Sequence, residues 1–192
     1  MQDMQNMLAY TIRSSNYSGA SPGLVVGQGR AATGMRPQNP QDDSYWIVIL
    51  DSTNPKNKVK EWVVPGSSNS SVPADLDGYM SNPQYIFAIV TQYLSTLHVP
   101  QGDFYDYLVK YGAGRELQRL EQINTVLSCG SISRMNYVLT GMGGPRGGGN
   151  LAPPTYEEGS SSGAVIFLKS LMPLPGGQPP YAICDSYTFI TR

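Results

Sequence analysis

The sequence predicts an α+β protein: a compact β-sandwich of mostly antiparallel strands, flanked by two or three short helices, with a C-terminal β-hairpin extension. Three observations lead there. Short apolar or alternating runs of strand length recur along the chain, each bounded by clusters of Gly, Pro, Asn or Ser. Two stretches between residues 103 and 123 carry their apolar residues at helical spacing instead. The 192 residues include 21 glycines and 15 prolines, and only 14% are charged, against ~25% in an average soluble domain. That is the composition of a loop-rich, weakly charged chain.

Each element follows from its residues. Leu8-Ala-Tyr-Thr-Ile-Arg13 alternates, and Leu24-Val-Val-Gly-Gln28 follows it across a Ser/Asn/Gly/Pro turn, so the two read as paired strands. Tyr45–Asp51 is apolar at consecutive positions, as a strand covered on both faces must be. The turn Ser52-Thr-Asn-Pro-Lys-Asn57 returns the chain into Lys58–Val64. Residues 71–80 read as a short helix with Ser71 as its cap and Pro73 near its first turn. Tyr85–Thr91 is a second central strand. Phe104, Leu108 and Tyr111 then mark one helix, and Leu117, Leu120 and Ile123 mark another, broken apart at Gly112-Ala-Gly114. Short strands are expected at Thr125–Cys129 and Arg134–Thr140, and a terminal hairpin at Ala164–Leu171 and Tyr181–Thr191. By composition the chain divides into a domain with an N-terminal arm at 1–144, a Gly/Pro/Ser-rich loop or linker at 145–163, and the hairpin extension at 164–192.

Charge and composition narrow the function. A formal net charge of −1 offers no basic excess to neutralise phosphates, which argues against nucleic acid as partner. A hydrophobic fraction of 40% argues against wholesale disorder. The longest apolar run, Tyr45–Leu50, falls far short of the ~20 residues that span a bilayer, and Met1–Met7 lacks the pattern of a signal peptide, so no membrane insertion is expected. Cys129 and Cys184 sit in apolar β-like stretches and read as buried free thiols, a single long-range disulfide being the alternative.

No catalytic, cofactor-binding or metal-binding residues are assigned. His98 is the one histidine, which rules out a two-His metal site; a nucleophile–His–acid set could use His98 with Ser95 or Asp103, but no nucleophile elbow presents a serine. The Gly-rich 141–150 stretch lacks the ending of a phosphate-binding loop and reads as flexible. The carboxylate pairs Asp42-Asp43, Asp75/Asp77 and Glu157-Glu158 fall in turns, a helix start and the linker, and read as solvated. The 13 tyrosines cluster at Tyr79, Tyr85 and Tyr93 and at Tyr105, Tyr107 and Tyr111, where they edge the core or furnish a contact surface. Methionines at 1, 4 and 7 suggest an arm that docks on a neighbour.

The order of the middle elements carries a resemblance. Tyr45-Trp-Ile-Val-Ile-Leu-Asp51, the turn at Asn54–Asn57, Lys58-Val-Lys-Glu-Trp62, Tyr85-Ile-Phe-Ala-Ile-Val90, the Leu stripe of Arg115-Glu-Leu-Gln-Arg-Leu120 and Arg134–Gly144 together resemble the interleukin-like EMT inducer / pancreatic-derived factor (ILEI/PANDER) domain over residues 8–144. The paired cysteines of the secreted animal members are missing, and Gln92–Gly102 is longer than the usual loop. The resemblance implies a helix-flanked β-sandwich that binds a ligand or partner, with no reaction assigned. The expectation is a non-enzymatic structural protein of a phage virion (tail, baseplate or connector), contacting neighbouring structural proteins and itself as a homo-oligomer. A secreted or surface module that recognises a glycan or protein ligand is the alternative.

Overall fold

A computed structural model describes residues 6–125, 134–146, 152–161, 163–174 and 178–185. Its middle layer is set by the two runs that are apolar at every position. β4 (Ser44–Asp51) and β6 (Tyr85–Gln92) are buried along nearly their whole length and pair antiparallel from Ser44↔Gln92 to Asp51↔Tyr85. Alternate side chains of a strand leave opposite faces. Tyr45, Ile47 and Ile49 therefore enter one core, while Trp46, Val48 and Leu50 enter another.

The sheet around these strands runs β5-β4-β6-β8-β7, with β5 (Asn54–Pro65) at one edge, β7 (Leu94–Ser95) at the other, and β9 (Thr155–Ser160) pairing along β8 (Arg134–Met142). β5 carries Lys56, Lys58, Lys60 and Glu61, charges that guard an open edge against pairing with another chain. A second sheet runs β11-β10-β1-β2-β3, where β1 is Leu8–Arg13, β2 Gly23–Val26, β3 Thr33–Met35, β10 Ile166–Leu174 and β11 Gln178–Asp185. Its inner residues Tyr10, Ile12, Leu24, Val26, Phe167, Leu171 and Ile183 close the inter-sheet core over Trp46 and Val48. On the far side of the middle sheet lie α1 (Leu76–Met80), α2 (Gly102–Lys110) and α3 (Arg115–Thr125). Phe104, Tyr107 and Leu108 of α2, with Leu117 and Leu120 of α3, fill the second core. The order of layers is sheet, sheet, helices.

The α+β sandwich expected from the sequence is therefore present, with three helices on one side. The terminal hairpin forms too, and β10 pairs with β1 from Leu8↔Leu171 to Arg13↔Ile166, which makes it the second of five strands in its sheet. Its partner β11 ends at Asp185, and the expected continuation to Thr191 lies outside the described residues. Other expectations need correction. The 145–163 stretch, expected as loop or linker, contains β9, which pairs with β8 from Asn136↔Ser160 to Gly141↔Thr155. Composition hid it because Glu157, Glu158 and Gly159 are poor strand formers, and pairing with a buried neighbour outweighs that preference. The helix expected at 71–80 is only Leu76–Met80, with Asp75 at its start in left-handed geometry (φ 64°) and no capping by Ser71. Thr125, expected to open a strand, ends α3; 126–129 lie outside the described residues.

The glycines at 141–144 have a packing reason. A Cβ on Gly143 would come within 2.1 Å of the Asn82 carbonyl oxygen, and the Gly143 N–H donates to Tyr85 O at 2.7 Å. These residues, expected to be flexible, let β8 leave the sheet against the Asn82 turn. Across the inter-sheet core, Thr140 donates its hydroxyl proton to Phe87 O (2.7 Å) and accepts from the Tyr10 hydroxyl (2.9 Å). Burial pushes the Tyr10 pKa far above its ordinary value, so the donor stays protonated.

Candidate functional site

Several of the titratable groups singled out in the sequence are structural ties. His98 lies in the 3₁₀ turn Thr96–His98, and its Nδ1 meets Asp43 Oδ2 at 2.6 Å. The acid is thus Asp43, not Asp103, which is exposed in the first turn of α2. Asp43 Oδ1 accepts the Ser95 N–H at 2.7 Å, and the Tyr45 hydroxyl donates to His98 O. The Ser95 hydroxyl, the candidate nucleophile, accepts the Leu97 N–H at 3.3 Å and caps the turn. Asp43 itself holds a left-handed backbone (φ 56°), a geometry aspartate tolerates better than most residues. Gly66 closes the junction from β5: its N–H donates to Asp43 O at 2.6 Å, and a Cβ there would stand 2.8 Å from both Asp43 Oδ1 and His98 Nδ1. The group fastens the start of β4, the end of β5 and the turn after β7.

Of the remaining carboxylates, expected to be solvated, Asp75 and Glu158 are exposed, while Glu157, Asp77 and Asp42 do the same work elsewhere. Glu157 accepts the Tyr137 hydroxyl on one oxygen and the Glu116 N–H of α3 on the other, each at 2.9 Å. It thereby binds β9 to the N-terminus of α3, where a negative charge also suits the helix dipole. Burial raises the Tyr137 pKa, and the neighbouring Glu157 charge adds to the shift. Asp77 takes Lys110 Nζ and the Tyr111 hydroxyl on one oxygen, both at 2.8 Å, and the Lys110 bond chiefly holds its pKa below the usual range. Asp42 accepts from Ser18 and from the Gly19 N–H, which lower its pKa and pin the β1–β2 loop. Tyr107 and Tyr111 belong to the helix-side core, with Tyr79, Tyr85 and Tyr105 packed at its margin. Tyr93 lies outside that cluster, under the guanidinium of Arg134 (4.1 Å to the ring centroid). Cys184 is a partly buried free thiol; Cys129, Met1 and Met4 lie outside the described residues. Among the described residues, no group of three or more His, Cys, Asp or Glu is placed to hold a metal ion, and no helix is long and apolar enough to cross a membrane.

What the sequence reading missed is a face. The outer side of the five-stranded sheet carries no layer of its own among the described residues, yet its row along β10 is apolar. Ile166 (63% exposed), Leu168 (59%), Met172 and Leu174 alternate along β10 with the buried Phe167, Leu171 and Pro173. Thr11 of β1 lies opposite Leu168, and Val25 of β2, itself exposed, lies opposite Thr11. Arg13 is the one charged residue that β1 contributes, and it stands with Arg36 at the end of the face beside a shallow depression of about 640 Å³. The signal in the sequence was Ile166-Phe-Leu-Lys-Ser-Leu-Met-Pro-Leu174, apolar on both strand faces, whereas a half-solvated strand alternates apolar with polar. A second, shallower groove of about 450 Å³ lies between the end of β5 and the segment before α1, lined by Trp62, Pro65, Ser68, Ser71, Pro73 and Asp75 among others.

No family model matches the chain, and no curated protein matches it.

Proposed function

We propose that the protein is a non-enzymatic structural subunit that acts by protein–protein contact, with the outer face of the β11-β10-β1-β2-β3 sheet as its principal contact surface. The observation that carries this reading is the exposure of Ile166, Leu168, Met172 and Leu174 in one row. Contiguous apolar surface on a soluble protein marks an interaction site, because leaving it in water forfeits ~25 cal/mol for each Å² that could be buried. The tying of Asp42, Asp43, Asp77 and Glu157 into turns and helix ends supports the same reading: those carboxylates fasten the scaffold behind the face. An ILEI/PANDER-like sandwich serving as a phage virion component (tail, baseplate or connector) is the assembly we propose for it.

The test is to isolate the chain from the cells that make it and measure its mass in solution. A subunit elutes in a particle many times larger than 20.9 kDa. A chain that stays monomeric and joins no particle overturns the reading. The groove at Trp62 favours a second one, a recognition module. An aromatic ring beside two serine hydroxyls and the carboxylate of Asp75 is suited to a glycan, and binding on a glycan array that is lost in Trp62→Ala identifies it.

A further inference from the structure

We infer that the partner of the open face is a second copy of this chain, seated face to face so that two β11-β10-β1-β2-β3 sheets stack across a twofold axis. The inference rests on the contact-surface reading above and names its occupant. Three features of the face select a copy of itself.

The first is charge. An isologous contact sets a patch against a copy of itself, so a face rich in one sign repels itself. Here the row along β10 is Ile166, Leu168, Ser170, Met172 and Leu174, flanked by Thr11 and Val25, and none of these carries a charge. Arg13 and Arg36 stand at the end of the face, where water can screen them.

The second is area. Five strands at ~4.8 Å spacing and a mean length near 20 Å present roughly 500 Å² in projection, so two copies cover about 1,000 Å² together, the lower end of a specific interface. A lone helix laid on the sheet would cover a width of only ~10 Å and leave part of the row in water.

The third is geometry. The sheet already stacks on another sheet through its inner face, where Phe167 and Leu171 interdigitate with Trp46 and Val48. A twisted sheet carries the same twist on both faces, and a second sheet of equal twist fits the open one. A twofold axis across the strands, level with Ser170, lays the β10 row of each copy antiparallel over the β10 row of the other, carries Arg13 and Arg36 of the two copies to opposite ends, and closes the pair without a free face.

The experiment is light scattering on the purified full chain from about 1 to 100 μM, with Leu168→Glu and Val25→Glu as variants and Val109→Glu, at an exposed position of α2 away from the face, as control. The expected result is a mass near twice 20.9 kDa for the wild type and the control, and 20.9 kDa for both face variants, whose far-UV circular dichroism matches the wild type. Because Leu168 and Val25 are exposed, the variants should fold; should either not, Thr11→Lys places a charge on the same row and replaces it. A wild type monomeric across the range overturns the second-copy inference, as does a dimer that all the face variants leave intact. Neither result touches the contact-surface reading, which fails only if the chain joins no larger particle in its native cells.

Discussion

The two outermost sheet faces of this protein are alike in chemistry and opposite in fate. The face of the β5-β4-β6-β8-β7 sheet that points away from the sandwich presents Tyr45, Ile47, Ile49, Phe87, Ile89 and Leu139, and the chain covers it with its own helices. The corresponding face of the other sheet presents Ile166, Leu168, Met172 and Leu174, and no described residue covers it. Covering the first costs the chain α1, α2, α3 and the polar ties that dock them, namely Glu157 on α3 and Asp77 between α1 and α2. The difference teaches where the free energy of folding lies and where that of association lies. Apolar area buried within the chain stabilises the monomer, and the same kind of area left open can be buried only by a partner.

The sharpest way to break the comparison is to truncate one leucine on each side. Leu108→Ala, beneath the helices and fully buried, should lower unfolding stability by ~2–5 kcal/mol, because a cavity adds to the lost transfer energy. Leu168→Ala, measured in urea at a concentration where the chain is monomeric, should change stability by no more than ~0.5 kcal/mol. Equal losses at the two sites would mean that the outer face is covered after all.

A smaller effect tests the ties. Glu157→Ala leaves the buried Tyr137 hydroxyl and the Glu116 N–H without their acceptor and should cost ~1–3 kcal/mol, with faster hydrogen exchange in α3 than in β10. Gly66→Ala forces a methyl group against Asp43 and His98 and should cost about the same through overpacking, read as a lower urea midpoint with an unchanged slope.

The smallest effect is in acid. Glu61 is pushed up by burial, but hydrogen bonds from Lys58, Trp46 and the Gln38 N–H outweigh this and lower its pKa; Asp77 is lowered chiefly by Lys110. A carboxyl whose pKa is depressed by folding contributes stability above its unfolded value of ~4, and loses that contribution as pH falls through the folded value. Thermal midpoints should therefore be level from neutrality to about pH 5 and decline below ~4. Glu61→Gln should flatten that decline more than Asp77→Asn, because the Glu61 side chain is 14% exposed and the Asp77 side chain 58%, so solvent screens the latter. The reverse order would place the acid-sensitive tie in the helical layer and not in the sandwich.

Much of this architecture is legible in the chain itself. Consecutive apolar residues in Tyr45–Leu50 and Tyr85–Val90 determined two central strands buried on both faces, and helical spacing at Phe104, Leu108, Leu117 and Leu120 determined two covering helices. Local pattern suffices there, because every neighbour in sequence agrees with the fold. Only the tertiary structure decided the rest. β9 exists because β8 offers it a partner, against the local preference of Glu157-Glu-Gly159. Asp43 and His98, 55 positions apart in sequence, meet because β4 and the turn after β7 end at the same corner. The apolar row on β10 became a surface when β1 took the place beside it and the inner core closed on Phe167 and Leu171. Composition and periodicity state how much apolar surface a chain carries; which part of it faces water depends on which strands become neighbours, and strand pairing is a long-range choice that no local window contains.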